Sequence, residues 1–203
     1  MTKMLNLERE TAPFRISVTR RRTSRMSMRI AKDGEVRVSV PYGTPDDEVK
    51  DFVCSHREWI EKARAKTAEG EQTRQAFFAQ LPLKTRQDWD TARQRLDSIV
   101  LPMLEHHARE MGVEPAGVYY RATISRWGCC HPARRVICLS PYLLLLPEWC
   151  IEHVVVHELV HLLVPNHGPR FHALMDHYFP SWREARAETK KICRSPRGRV
   201  DAS

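Results

Sequence analysis

No run of this chain is long and apolar enough to span a bilayer. Leu143–Leu146 is only a short patch, far below the ~20 residues a crossing helix needs. The opening Met1-Thr-Lys-Met-Leu-Asn-Leu-Glu lacks the apolar centre of a secretory signal, so a cytoplasmic location is expected, with no membrane partner. Cysteine is present but unorganised. Cys54, Cys129, Cys130, Cys138, Cys150 and Cys193 form no C-x-x-C pair and no disulfide framework, and are expected as free thiols in a reducing compartment. Vicinal Cys129-Cys130 with His131 has no second cluster to close a soft-metal site. Helix-turn-helix spacing, zinc-finger spacing and internal repeats are all missing.

What is present bounds the class. The chain has 203 residues, 42% of them hydrophobic, enough for one domain with a real core, or one with a small appended lobe. Its net charge is +8 and its pI near 9.4. Arg15, Arg20, Arg21, Arg22, Arg25 and Arg29 carry much of that charge, with a second cluster in Arg194-Ser-Pro-Arg-Gly-Arg199. A solvated strand face plus a basic tail is the favoured reading. Weak nucleic-acid association through the basic strands is the sharper one.

The chemistry concentrates in His153-Val-Val-Val-His157-Glu158-Leu-Val-His161, where His157, Glu158 and His161 spell H-E-x-x-H. Residues four apart share a helix face, so both imidazoles can reach one ion. Glu158, one step on, is placed to hold a water rather than to ligate. Neutral imidazoles at about 2.0–2.1 Å suit Zn²⁺, and a catalytic site keeps one position open. His153 is excluded, because three histidines on one straight helix would span about 12 Å. Ile151, Val154, Val155, Leu159, Leu162 and Leu163 make the segment too apolar for a surface helix, so its polar residues need partners.

A third ligand must come from outside the helix. Pro165 is expected to end the helix and Asn166 suits a turn, which brings His167 back under the metal. The step from His161 to His167 is also that of metzincin proteases, but Val164 stands where they have glycine. His172, His177, Glu184 and Glu188 are rivals.

In order, residues 1–13 are expected as a loose arm and residues 195–203 as a basic tail. Alternating Phe14, Ile16 and Val18, then Met26, Met28 and Ile30, turn at Asp33-Gly34 into Val36, Val38 and Val40, a small antiparallel sheet. Thr44-Pro45-Asp46-Asp47 opens a helix with Thr44 as its cap. Val49, Phe52, Val53, His56, Ile60 and Ala63 recur at helical spacing, with His56 read as a core histidine. Residues 67–80 read as a linker or surface helix. Gln87 to Met111 reads as a long helix kinked at Pro102 and stopped by Gly112. His106 and His107, late in it, are read as partners of the helix dipole rather than ligands. Val118, Tyr120, Ala122 and Ile124 alternate into Trp127-Gly128, and Val136–Leu139 returns. Pro141–Leu146 is a turn, Pro147-Glu148 start the metal helix, and helices follow over 170–178 and 182–192.

Ser125-Arg126-Trp127-Gly128-Cys129-Cys130, Leu139-Ser140-Pro141-Tyr142-Leu143, the H-E-x-x-H helix and Asn166-His167-Gly168-Pro169-Arg170-Phe171 follow in that order. Together they resemble the YgjP-like metallopeptidases, relatives of the SprT-like zinc proteases. The similarity covers roughly residues 14–193. Cys129 stands where the family has serine, and His172 where an aromatic is common. The resemblance implies an α+β, zincin-like fold, with a small antiparallel sheet packed against the H-E-x-x-H helix and further helices. It implies a domain over 14–194, made of an N-terminal part to residue 85 and a zinc-binding part from 86. It further implies one Zn²⁺ per chain on His157, His161 and His167, with Glu158 activating the water.

The activity expected is hydrolysis of peptide bonds in unfolded or flexible polypeptide. A strand ending at Trp127-Gly128 can serve as an edge for extended substrate. Arg126, Trp127, Gly128, His172 and Tyr178 are the candidate substrate-side residues. The competing class is a basic nucleic-acid-associated module with a structural zinc.

Overall fold

The computed structural model describes residues 2–4 and 15–194. Most of the expected arm, Phe14 and the 195–203 tail lie outside the described residues. Thr2–Met4 forms a strand, β1, in the span expected as loose arm. It pairs antiparallel with β2 (Ile16–Arg21). The chain divides into two compact units, one ending at Thr73 and the other beginning at Arg74. That division falls inside a helix, upstream of the 85/86 boundary drawn from sequence.

In the first unit the sheet order is β1-β2-β4-β3, with β3 over Ser27–Ile30 and β4 over Val36–Pro41. The sheet is mixed, not purely antiparallel: β2 runs parallel to β4 in register Val18↔Val38, while β3 runs antiparallel to it. Ala31 and Glu35 close the hairpin, leaving Lys32, Asp33 and Gly34 in the loop. Gly34 takes φ 81°, the left-handed residue that three-residue hairpin loops favour over the two-residue turn expected.

The alternation of β4 buries Val36, Val38 and Val40. They pack with Ile16, Val18, Val49, Val53 and Ile60 as a core of their own. Each such side chain contributes about 1.5–3 kcal/mol on full burial.

The single helix expected after Thr44 is two, α1 (Asp46–Ser55) and α2 (Arg57–Ala79), broken at His56. Thr44 does not cap α1, since its hydroxyl donates to the carbonyl of Pro41 at 3.0 Å. His56 is exposed rather than in the core, its Nδ1 paired with the Phe52 carbonyl at 2.8 Å. The polar segment from 67 is the far half of α2, so of the two alternatives the surface helix holds and the linker does not.

In the second unit α3 (Arg86–Met111) begins with a capping box. Thr85 Oγ1 accepts from the Asp88 amide, and the Asp88 carboxylate accepts from the Thr85 amide. Gly112 ends the helix at φ 63°, and Pro102 lies inside it. A second sheet has order β5-β7-β6, from β5 (Gly117–Tyr120), β6 (Gly128–His131) and β7 (Val136–Leu139). It too is mixed, β5 parallel and β6 antiparallel to β7.

The strand expected through Ile124 stops at Tyr120, and residues 121–127 are irregular. Ser140 donates there to the Thr123 carbonyl at 2.9 Å. After a 3-10 turn over Pro141–Leu145 comes α4 (Glu148–Val160), then α5 (Pro169–Tyr178) and α6 (Trp182–Ile192). Ile151, Val154, Val155 and Leu159 of α4 fill the centre of this unit. Leu96 and Val100, Ile137 and Leu139, Phe171 and Met175, and Trp182 and Ala185 surround them. Here the sheet strand packed on α4 is β6. Among the described residues no helix is long and apolar enough to cross a membrane.

Candidate metal centre

The α-helix of α4 ends at Val160, before Pro165 is reached, with His161 as its C-cap still in right-handed conformation. Leu162 and Leu163 then donate to carbonyls three residues back, which tightens the chain into the turn. His157 and His161 remain a helical step apart, with their Nε2 atoms 3.2 Å from each other. The turn returns His167 so that its Nε2 lies 3.0 Å from that of His157. One nitrogen from each ring falls within 4.8 Å of the others.

Two contacts aim these rings, and burial favours the neutral form of two of them. Phe171 is 1% exposed and lies against all three imidazoles, at ring-centroid distances of 4.9, 4.9 and 4.6 Å from His157, His161 and His167. Nδ1 of His161 lies 3.1 Å from the Val164 carbonyl. A carbonyl only accepts, so the proton sits on Nδ1 and the Nε2 lone pair turns toward the other rings. Burial, followed by the charges of His161 and His167, pushes His157 down to about 3. Burial also lowers His161. Converged neutral imidazoles with free lone pairs are the ligand form of histidine.

Glu158 is 5% exposed, and burial pushes its carboxyl up to about 8, against the opposing charge of Arg126 and the amide of Cys130. Its Oε2 is buried with no hydrogen-bond partner. It does not belong to the set of three converged ligand atoms. An ideal Cβ at Gly128 would come within 2.7 Å of Glu158 Oε1, so the carboxylate occupies the space that a side chain there would need.

The other sequence candidates divide. Arg126 and Gly128 stand by Glu158, the first through its charge and the second by contact. Trp127 packs on Phe77 and Phe78 at centroid distances of 6.4 and 5.9 Å, a core contact. His172 stacks on Trp182 at 5.4 Å, and Tyr178 packs on the core and against His177 at 4.7 Å. Both lie outside the set of three, as do His177, Glu184 and Glu188. His153 is buried near His157, at a centroid distance of 6.0 Å, and is also outside it. Cys129 meets Cys138 across the β6–β7 ladder rather than a metal group. The strand beside the site begins at Gly128 rather than ending there.

Sequence reasoning missed Phe171, the Val164 carbonyl and the Cys130 amide. Phe171 had a signal, since it stands four residues after His167 in the same block. The other two are backbone groups, which carry no mark in a sequence. The exposed arginines include Arg15, Arg21, Arg22, Arg25 and Arg29, whereas Arg20 is half-buried and paired with Asp46 at 2.5 Å.

The three imidazoles and the unpartnered carboxylate oxygen fit a metal of zinc type. A family model described as YgjP-like, metallopeptidase domain, matches residues 24–88 and 80–192. No curated protein and no solved structure matches the chain significantly. With the family match running over most of its length, the chain belongs to the YgjP-like metallopeptidase family.

Proposed function

We propose that this protein is a zinc-dependent endopeptidase of the H-E-x-x-H type, acting on unfolded or flexible polypeptide. The observation that carries this is the convergence of three Nε2 atoms, at 3.0 and 3.2 Å from His157 to its neighbours, beside the buried carboxylate of Glu158. His157, His161 and His167 would hold one Zn²⁺ through those nitrogens. When bound, zinc supplies a Lewis acid and lowers the pKa of water from that of bulk toward about 7.

The rest is done by the chain. Glu158 takes a proton from the attacking water on Oε2, the oxygen with no other partner. It then returns that proton to the leaving amine, so the carboxylate is regenerated. The Cys130 amide and the absent side chain of Gly128 keep that carboxylate in place.

β6 is an edge strand, and an extended substrate segment lying along it from Gly128 would pass Glu158. Main-chain pairing of that kind reads little side-chain identity, which suits unfolded chains. The free cysteines suit a cytoplasmic setting. Cleavage of an unfolded protein by the zinc-loaded chain, lost in Glu158→Gln, tests the reading.

A second reading rests on Arg21 at the end of β2 and on Arg22 and Arg25 in the loop that follows it, all three exposed. It is weak nucleic-acid association, with zinc mainly structural. A structural site is usually closed by four protein ligands, and here three converge. Binding to DNA that weakens in Arg21→Gln/Arg22→Gln, with no peptide cleavage, would favour it.

A further inference from the structure

The last turns of α3 carry His106, His107 and Glu110, with one ligand atom from each within 4.8 Å of the others. The sequence pointed to dipole partners here. The side-chain geometry points to a ligand.

His107 is 5% exposed, and its two nitrogens have different surroundings. Nε2 lies 2.8 Å from Oε1 of Glu152 on α4. A carboxylate only accepts, so Nε2 carries a proton. In the neutral ring the lone pair is then on Nδ1. That atom is buried without a hydrogen-bond partner and faces Oε2 of Glu110 at 3.4 Å. A buried lone pair set against a carboxylate oxygen costs free energy unless a positive charge sits between them.

Nε2 of His106 lies 3.6 Å from the same Oε2. Tetrahedral ligands at about 2.0–2.1 Å from zinc stand about 3.3 Å apart. The two edges that meet at Glu110 Oε2 are close to that spacing.

We propose that His106 Nε2, His107 Nδ1 and Glu110 Oε2 form a second site for a divalent metal of the zinc and nickel class. Glu152 is its positioning residue: it fixes the His107 tautomer from the far side of the ring, as carboxylates do behind metal-binding histidines. His106 and Glu110 have side-chain exposures of 62% and 48%, so the site opens to solvent and exchanges its metal readily. Filling it clips the end of α3 to α4 through the His107–Glu152 bond, raising stability with metal concentration.

The test is calorimetric titration of zinc-loaded, gel-filtered full-length protein with Zn²⁺, repeated with Ni²⁺. The expected result is one further ion per chain and a melting temperature that climbs as it binds. His106→Ala and Glu110→Gln, both at exposed positions, should still fold and should lose this event, and in metal-free buffer Glu110→Gln should melt no lower than the parent. Glu152→Gln should weaken it about 10–100-fold, and His177→Ala should leave it intact. The event should persist in His157→Ala/His161→Ala, which separates it from the first centre. No further event in the parent, or one unchanged in both His106→Ala and Glu110→Gln, overturns the proposal. A protonated His107 between two carboxylates would then account for the geometry.

Discussion

A methyl group on Gly128 would sit 2.7 Å from Oε1 of Glu158 and 2.9 Å from its Cγ. Real Cβ atoms do not approach that closely, so either the carboxylate or the start of β6 must move. Gly128 has no left-handed φ, and the conflict is one of space alone. Gly128→Ala should therefore keep fold and zinc content while cutting cleavage of an unfolded protein by about 10²-fold, the typical effect of a 1 Å misplacement. Parallel measurement of zinc content and cleavage rate checks this.

His167 and His172 differ in what they touch. His167 Nε2 meets that of His157 at 3.0 Å, whereas the His172 ring stacks on Trp182. His167→Ala should release zinc at chelator concentrations that the parent withstands, and His172→Ala should retain it. Competition with a chromogenic chelator gives both affinities. The opposite ranking would reassign the third ligand.

Phe171 is 1% exposed beneath three imidazoles, so its loss opens a cavity and frees the rings it packs against. Phe171→Ala should cost about 3–5 kcal/mol in denaturant unfolding. Phe171→Leu should cost under about 1.5 kcal/mol but still weaken zinc, because a leucine cannot wall all three rings. Unfolding midpoints and zinc competition together separate the two effects.

The thiols should sort by burial. Cys54 is exposed, whereas burial raises Cys138 and Cys150 and pushes Cys130 up to about 11. Thiolate is the reactive form, so a raised pKa means little reactivity at neutral pH and about tenfold more per pH unit until that pKa is approached. Alkylation at pH 7 followed by peptide mass analysis should find Cys54 modified well before Cys130, Cys138 and Cys150. Raising the pH to 9 should accelerate Cys130 about 100-fold.

The centre was more legible than the frame around it. His157, Glu158 and His161 announce themselves by spacing, and the apolar run around them is what buries α4. Gly112 marks the end of α3 by its left-handed backbone, whereas the start read at Gln87 passes over the Thr85–Asp88 capping box that opens it. Parallel pairing is different, because Val18 and Val38 alternate identically whichever way their strands run. The break at His56 was hidden, since Val49, Val53 and Ile60 keep a helical period across it. The partner of His107 was hidden for a further reason. Glu152 lies on another helix, and no local pattern joins positions so far apart.

Glu158 decides between chemistry and scaffolding. Glu158→Gln keeps the size of the side chain and removes the base. General acid–base catalysis is worth about 10²–10⁴-fold, more where one group serves both proton transfers. The most direct measurement takes zinc content, melting temperature and cleavage of an unfolded protein for parent and variant side by side. The variant should retain zinc, melt within a few degrees of the parent and lose nearly all cleavage. Equal cleavage rates with zinc retained would contradict the mechanism, and lost zinc would make Glu158 a ligand instead.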